Sequence, residues 1–261
     1  MATLPTARDQ RFSTTLSHGI DILRSFKVGE PVLSNREFVE RAGLSKATVS
    51  RLTYTLAELG FLKYDNALRK YRLGSAALSV GYPLMASLGV RQIARPFMKA
   101  LADHAGGSVS LGMRDRTSMV YIETSRGQGA IAFRPDIGAS LPILSTAIGR
   151  AWLAGCGEAT REAALTCFRA SDPATWRRHR ADVEQALLDF GKRGFCIGRG
   201  HFQSDVHAVA TPMQTPIDGE ILVFNCGVPA IRLSKTALER DLGPRVVAMV
   251  RQVEQAIGSI E

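Results

Sequence analysis

The chain has 261 residues, of which 45% are apolar and 22% are charged, a composition typical of globular proteins and not of disordered or fibrous ones. Its net charge is +9, and residues 1–88 hold 12 basic against 7 acidic side chains, which indicates a polyanionic partner for the first third. Four widely spaced cysteines without a C-x-x-C pair argue against a zinc site or redox motif and for a reduced, cytoplasmic protein.

The polar residues 1–12 have no apolar stretch of the kind found in secretion signals, and they predict a mobile arm. A first helix is predicted to begin after Thr14 or Thr15 and to end at Gly29. The side chains that share one face of this helix, and that we expect to be buried, are Leu16, Ile20, Leu23 and Phe26.

Two further short helices follow, separated by a tight turn. Ser34 and Glu37 have the spacing of a capping box, in which each side chain binds a free backbone N–H group at a helix start. This helix should end at Gly43, and Ser45 should cap a third helix that ends at Gly60. Two short helices joined by a glycine-containing turn predict a helix-turn-helix.

The third helix has one apolar and one polar face. The apolar stripe that should face the core is Val49, Leu52, Leu56 and Leu59. The residues at the helix start and on the opposite face, which we predict to contact DNA, are Ser45, Lys46, Ala47, Ser50, Arg51 and Tyr54. Small residues let the backbone approach a groove, and an arginine can donate two hydrogen bonds to a guanine edge. The alternative is an ordinary solvated face, which the neighbouring helix and hairpin make less favourable.

Residues 61–64 and 70–73 alternate in polarity around a polar turn at 65–69, which predicts a β-hairpin. Three helices followed by a hairpin give the order of a winged helix-turn-helix over residues 13–74. The basic side chains of this wing, which can contact phosphate or the minor groove, are Lys63, Arg69, Lys70 and Arg72. A solvated basic hairpin is an equal alternative for the wing alone.

Residues 73–90 carry no charge, but glycines, serines and Pro83 interrupt them. They therefore predict a linker helix over 75–90, kinked or broken at Pro83 and packed on another protein surface, and not a membrane span. Residues 91–261 form a second predicted domain of α/β type with a mostly antiparallel sheet. Its predicted helices are 91–105, 145–155, 158–168, 176–193 and 234–258, and its predicted strands are 107–114, 117–124, 195–199, 207–214 and 220–226.

No catalytic or cofactor site emerges from the pattern. His201, His207 and Cys196 lack metal-ligand spacing, and we expect no metal. The GQGAIA segment at 127–132 imitates a dinucleotide fingerprint without the strand-to-helix context that it requires. No nucleophile–base arrangement is visible, so an enzyme carrying a fused winged helix is the alternative function. An RNA-binding or adaptor protein is a third, and one recognition helix with a wing favours duplex DNA over RNA.

Several segments in order resemble the IclR family of bacterial transcriptional regulators. They are TTLSHGIDILRSF, GLSKATVSRLTYTLAELGFL, KYRLG, LPILSTAIGRAWLAG, the RGF at 193–195, IDGEILVFNCGVP and LERDLGPRVVAMVRQVEQAIG. The resemblance implies a winged helix-turn-helix, a linker helix and a GAF-like effector-binding domain. It also implies a homodimer or homotetramer on a palindromic DNA operator, acting as repressor or activator. The implied effector is a small organic acid or an aromatic catabolite, and the implied target is a catabolic operon.

The resemblance also implies an effector pocket. Its lining would include Phe133 and Leu141, with Asn225 on a strand facing the ligand. Backbone N–H groups at a helix start would hold an anion, and they belong to Thr146, Ala147 and Ile148. This sequence departs from the family pattern after residue 195, where Gly198 stands in place of a pocket acid, and Asp205 and His207 are the nearby polar residues that can substitute.

Overall fold

The computed structural model describes residues 11–27, 29–128, 135–234 and 236–259. It divides into two compact units between Ser87 and Leu88, each with its own hydrophobic core. Residues 1–10 of the predicted arm lie outside the described residues.

The described residues of the first unit form four helices and one hairpin. In chain order the elements are α1 (Thr14–Arg24), α2 (Asn35–Ala42), α3 (Lys46–Glu58), β1 (Leu62–Asp65), β2 (Lys70–Leu73) and α4 (Ser75–Ser87). The first three helices begin where a serine side chain accepts a hydrogen bond from a backbone N–H three residues later, at Ser13, Ser34 and Ser45. The predicted capping box at Ser34 and Glu37 is confirmed.

The turn between α2 and α3 depends on Gly43, whose φ of +66° lies in the left-handed region that favours glycine. Its N–H donates to the Val39 carbonyl at 3.0 Å and closes α2. The predicted hairpin is confirmed, with Leu62 paired to Leu73 and Asp65 to Lys70.

The core of the first unit differs in part from the predicted stripes. Ile22, Phe38 and Val49 are fully buried, while Leu16 is 67% and Ile20 is 43% exposed. Those two expectations for α1 were wrong because the face of the helix that carries Gly19 and Ile22 is the one that is buried. Beyond the end of α1, the Phe26 ring meets the Phe38 ring at 5.5 Å.

The prediction that Leu59, the last residue of the apolar stripe of α3, faces the core is also wrong. Leu59 is exposed because α3 ends at Glu58 and the chain turns at Gly60. The fully buried polar residue of this helix is Thr53, whose hydroxyl donates to the Val49 carbonyl at 3.0 Å.

Helix α4 runs unbroken through Pro83, so of the two effects predicted for this proline, a kink or a break, the break is wrong. Ser79, whose carbonyl loses its helical partner to the proline, lies exposed where water can bind it. The large apolar side chains that α4 exposes are Leu78, Val80, Tyr82 and Leu84. Within the described part of the chain, every helix is too short or too polar to cross a bilayer.

The second unit is a six-stranded antiparallel sheet between two layers of helices. Its strands are β3 (Ser108–Asp115), β4 (Ser118–Arg126), β5 (Ser140–Pro142), β6 (Cys196–Arg199), β7 (Val206–Pro212) and β8 (Val223–Pro229). Its α-helices are α5 (Val90–Ala105), α6 (Ala147–Gly155), α7 (Glu158–Ser171), α8 (Pro173–Arg193) and α9 (Gly243–Gly258). The strand order is β5-β4-β3-β8-β7-β6, which confirms the predicted antiparallel sheet. Helices α5 and α9 cover one face, and α6 to α8 cover the other.

Two local features departed from the sequence prediction. The short strand β5 lies inside a segment predicted as loop, where Leu141 pairs with Met119. The last helical region begins with a π-helical turn, Leu238–Leu242, before α9.

Candidate functional site

The polar face of α3 is open to solvent. The predicted contact residues Ser45, Lys46, Ala47, Ser50, Arg51 and Tyr54 are all exposed. Opposite them, Val49 and Thr53 are fully buried. Across the described ranges, neither Lys46 nor Arg51 forms an ion pair, so both charges are available to an external anion.

The start of α3 offers backbone donors as well. The Ser45 hydroxyl accepts from the Thr48 N–H at 3.2 Å. The N–H groups of Lys46 and Ala47 have no acceptor in the part of the chain that the structure describes. Free N–H groups at a helix start hold phosphate oxygens.

The four predicted wing cations divide into two kinds, those with an ion-pair partner and those without. Lys70 lies 3.2 Å from the Glu37 carboxylate, and Arg72 pairs with Asp65. Hydrogen bonds from Ser34, with a smaller contribution from Lys70, lower the pKa of Glu37 to about 2. Arg69 stands exposed at the hairpin turn with no ion-pair partner among the described residues. Lys70 therefore stabilises the wing against α2, while the exposed Arg69 and Lys63 have no ion-pair partner among the described residues.

The second unit contains a cavity of about 640 Å³, counted with its open mouth, between the sheet and the start of α6. The predicted pocket residues that line it are Leu141, Thr146, Ala147, Ile148, Gly198 and Asn225. Phe133 lies outside the described residues.

Asp205 and His207 are not among the described residues that line this cavity, which corrects the idea that they substitute for a pocket acid. Strand alternation gives the reason. Val206 and Ala208 line the cavity, so His207 points to the opposite face of β7, and Asp205 precedes the strand.

The floor of the cavity is a row of small residues across four strands. Gly198 pairs with Ala208, Ala208 with Gly227, and Gly227 with Ser108. The absence of larger side chains leaves a shallow trough along which a flat molecule can lie. From Gly198 to Gly227 the trough crosses two strand spacings, roughly 10 Å.

One end of the trough presents backbone donors from α6. Its N-cap residue Thr146 accepts from the Gly149 N–H at 3.2 Å, while the N–H groups of Ala147 and Ile148 find no acceptor among the described residues. A Cβ on Gly198 would lie 3.4 Å from the Ala147 nitrogen, so glycine at 198 lets the strand approach this helix start closely. The arrangement suits a carboxylate.

The other end presents buried side-chain polar groups. The Asn225 side-chain N–H donates to the Tyr121 hydroxyl at 2.7 Å, and burial raises the pKa of Tyr121, which therefore stays neutral. Asn225 Oδ1 and Ser108 Oγ are buried without a partner in the described part of the chain. Tyr121 and Ser108 were missed in the sequence, because only strand register brings them beside Asn225.

A buried arginine beside the cavity was also missed. Arg150 is 2% exposed, and its guanidinium contacts the Leu144 carbonyl at 2.9 Å, Asp182 at 3.1 Å and His201 Nδ1 at 3.2 Å. His201 lines the cavity, so Arg150 fixes the segment between β6 and β7 to α6 and α8. An arginine in an otherwise apolar helix was the available signal.

We expect the stability of the second unit to fall as the pH drops from about 7.5, one unit above the ordinary histidine pKa of about 6.5, because burial and the Arg150 charge lower the pKa of His201. Below about pH 6.5 the unfolded chain binds a proton at this histidine that the folded chain resists, so acid favours unfolding. The charged or titratable groups that act on it are Arg150, Asp182, His179 and His207.

Thermal unfolding followed by tryptophan fluorescence measures this effect, because Trp152 and Trp176 both belong to the second unit. His201→Gln should flatten the pH dependence relative to the unsubstituted chain. Equal dependence in both proteins would show that His201 does not titrate in this window.

In the described ranges, no three His, Cys, Asp or Glu side chains come together as metal ligands would. A helix-turn-helix with an open basic face, joined in one chain to a domain with a small-molecule cavity, defines a DNA-binding transcription regulator. The IclR helix-turn-helix domain matches residues 15–66, and the C-terminal domain of the bacterial transcriptional regulator IclR matches residues 83–257. The chain belongs to the IclR family.

Its relatives are transcription regulators. The regulator TsaQ1/TsaQ2 of Comamonas testosteroni is 33% identical over 242 residues, which cover 92% of this chain and 87% of the relative. XynR of Escherichia coli is 29% identical over 201 residues, covering 76% and 79%.

Solved structures share the fold. An IclR family regulator from Brucella abortus has 39% identity and a TM-score of 0.80, with 95% of this chain and 94% of that one covered. An IclR homologue from Microbacterium hydrocarbonoxydans, solved in complex with 4-hydroxybenzoate, has 18% identity and a TM-score of 0.70, with 93% and 100% covered.

Proposed function

We propose that this regulator binds a palindromic operator as a homodimer or homotetramer and that a small planar organic acid in the second unit modulates that binding. The observation that carries the proposal is a buried pair of N–H groups, at Ala147 and Ile148, which line the cavity and have no acceptor among the described residues. The regulated genes are those of a catabolic operon, and the protein acts in the cytoplasm.

The operator half of the proposal assigns base contacts to α3 and phosphate contacts to its start and to the wing. We assign Arg51 to a guanine edge, and Tyr54 and Ser50 to the DNA backbone around it. In a dimer, two such helices enter successive major grooves about 34 Å apart. The exposed apolar side chains of α4 support a second copy as partner.

The part of the proposal that concerns the effector depends on the trough in the cavity floor. Its two ends are polar, its floor carries small side chains, and its walls include Leu141 and Ile148. An aromatic carboxylate matches this shape, with its acid group at the α6 start. The 4-hydroxybenzoate held by the Microbacterium homologue supports this class of ligand.

Modulation follows if the ligand binds one arrangement of the protein better than another. The ligand then shifts the population towards that arrangement, and operator affinity changes by the same coupling free energy. Along the chain, α4 connects the two units and is the element through which this shift would pass.

The DNA-binding half is tested by fluorescence anisotropy of the full chain on its own upstream DNA and on a scrambled duplex. We expect Arg69→Ala to weaken both complexes alike and to lower the salt slope by about one counterion. Lys70→Ala should do the same and in addition destabilise the first unit, because Lys70 also pairs with Glu37. Identical affinity for the two duplexes in the unsubstituted protein would contradict the proposal.

A further inference from the structure

The segment that connects β6 to β7, residues 200–205, forms part of the wall of the cavity. Its members that line the cavity are Gly200, His201, Phe202 and Gln203. The segment folds back on itself, since the Gly200 N–H donates to the Val206 carbonyl at 3.2 Å and the Val206 N–H donates to the Gln203 carbonyl at 3.0 Å. A movement of this segment would therefore open or close one side of the cavity.

The side chain of His201 connects this segment to α6. Its Nδ1 atom lies 3.2 Å from the Arg150 guanidinium and 3.4 Å from the Arg199 backbone N–H. Both neighbours can only donate, so Nδ1 is the acceptor and the neutral ring carries its proton on Nε2. Among the described residues, no other side chain of residues 200–205 forms a hydrogen bond to a helix. The position of the segment thus depends on a neutral His201.

The charges around His201 oppose a proton on its ring. Asp182 already balances Arg150 at 3.1 Å, and the same carboxylate lies 3.7 Å from His201 Nε2. A proton on Nδ1 would turn the acceptor into a donor and add a second positive charge beside the Arg150 guanidinium. The charged or titratable groups around the ring are Arg150 on α6, Asp182 and His179 on α8, His207 on β7, and Arg199 on β6, whose side chain pairs with Glu239.

Acid should therefore favour a form in which the segment has left Arg150. Burial and the Arg150 charge lower the pKa of His201 in the structure, whereas a released, hydrated ring would have the ordinary pKa of about 6.5. The released form then binds a proton more tightly, so its population rises as the pH falls below about 6.5. The His201 side chain is 34% exposed, so water can deliver that proton.

We propose that the contact between Arg150 and His201 is an acid-sensitive latch on the cavity. Neutral His201 holds residues 200–205 against α6, and its protonation releases them, opens the cavity wall and weakens ligand binding. The effect on the ligand rests on the proposed function, whereas the latch itself can be observed without a ligand.

Hydrogen–deuterium exchange of the full chain, followed by mass spectrometry, tests the latch directly. His201→Asn is the comparison, because its side-chain oxygen can accept from Arg150 and does not titrate. At pH 7.5 the backbone amides of residues 200–206 should exchange at similar rates in the two proteins. At pH 5.5 they should exchange about 3- to 10-fold faster in the unsubstituted chain, the upper value being what one proton allows one pH unit below 6.5.

His104→Asn is the matched control. His104 belongs to the same unit and lies 3.0 Å from Asp241, at the end of α5 on the opposite face of the sheet. This variant should exchange over residues 200–206 like the unsubstituted chain at both pH values. If thermal unfolding shows that His201→Asn is not folded, His201→Gln repeats the test. A rate ratio between the unsubstituted chain and the His201 variant that is the same at both pH values would overturn the latch.

Calorimetry at the same two pH values, with 4-hydroxybenzoate as the probe, measures the effect on the ligand. The affinity should fall by about 3- to 10-fold from pH 7.5 to 5.5 in the unsubstituted chain, and by less than about 2-fold in His201→Asn. An equal fall in both proteins would overturn the link between the latch and ligand binding. Failure of the probe to bind at either pH would overturn the proposed ligand class, and the exchange rates would still decide the latch.

Discussion

Replacing Arg51 with alanine is expected to weaken operator binding by about 10- to 100-fold and to leave binding to a scrambled duplex within about 3-fold. The guanidinium lies exposed on α3, on the side away from the fully buried Val49, and forms no ion pair with any described residue. It is therefore available for two parallel hydrogen bonds to one guanine, which carry sequence preference as well as affinity. Anisotropy titrations on both duplexes at one salt concentration measure the two constants.

Arg180→Ala is the matched control, since it removes the same charge from the second unit, where Arg180 pairs with Glu184 at 2.7 Å on an exposed helix surface. It should leave both constants unchanged apart from a small electrostatic effect. Equal losses on the operator and the scrambled duplex in the Arg51 variant would assign Arg51 to phosphate contact and contradict base readout.

Replacing Gly149 with alanine is expected to destabilise the second unit by about 3 kcal/mol or more and to abolish effector binding. An alanine Cβ at this position would lie 2.3 Å from both the Cα and the carbonyl oxygen of Ile143. These are backbone atoms, so the start of α6 must move, and the Ala147 and Ile148 donors move with it. Urea unfolding followed by tryptophan fluorescence reports on this unit, where Trp152 lies on α6 itself.

Gly191→Ala is the control, and its expected effect on the stability of the second unit has the opposite sign. Gly191 is also a helical glycine, in α8, but an added Cβ there meets nothing within 4 Å. We expect this change to stabilise the unit by about 0.5–1 kcal/mol through its helix propensity. An unchanged unfolding midpoint for Gly149→Ala would contradict the close contact between α6 and Ile143.

Most helix ends and turns of the first unit could be predicted because local chemistry sets them. Ser34, Ser45 and Gly43 act within three or four residues of their own positions, so the sequence alone contains the information. Local chemistry does not decide which side of an amphipathic helix is buried. In α1, Leu16 and Ile20 fit an apolar stripe as well as Ile22 does, and only packing against Phe38 decides between them.

The cavity could be predicted only in part for the same physical reason. Contacts that follow from a continuous segment, such as Thr146 to Ile148 at a helix start, came from the family resemblance and line the cavity. Whether Asp205 and His207 face the cavity depends on which alternate residues of β7 point to that side of the sheet. A shift of one residue along the strand reverses the answer. The place of Ser108 beside Asn225 depends on a strand more than 100 positions away, so no local pattern identifies it. Arg150 stands out in the sequence as a charge in an apolar helix, but its partner Asp182 lies 32 positions away and could not be predicted.

The central claim is that occupancy of the cavity changes affinity for DNA. The most direct test is titration of the full chain on its own operator, with and without 4-hydroxybenzoate at a concentration that saturates the cavity by calorimetry. The account predicts that the dissociation constant for the operator changes at least about 5-fold while that for a scrambled duplex does not. An operator constant that stays the same with the cavity filled would contradict it.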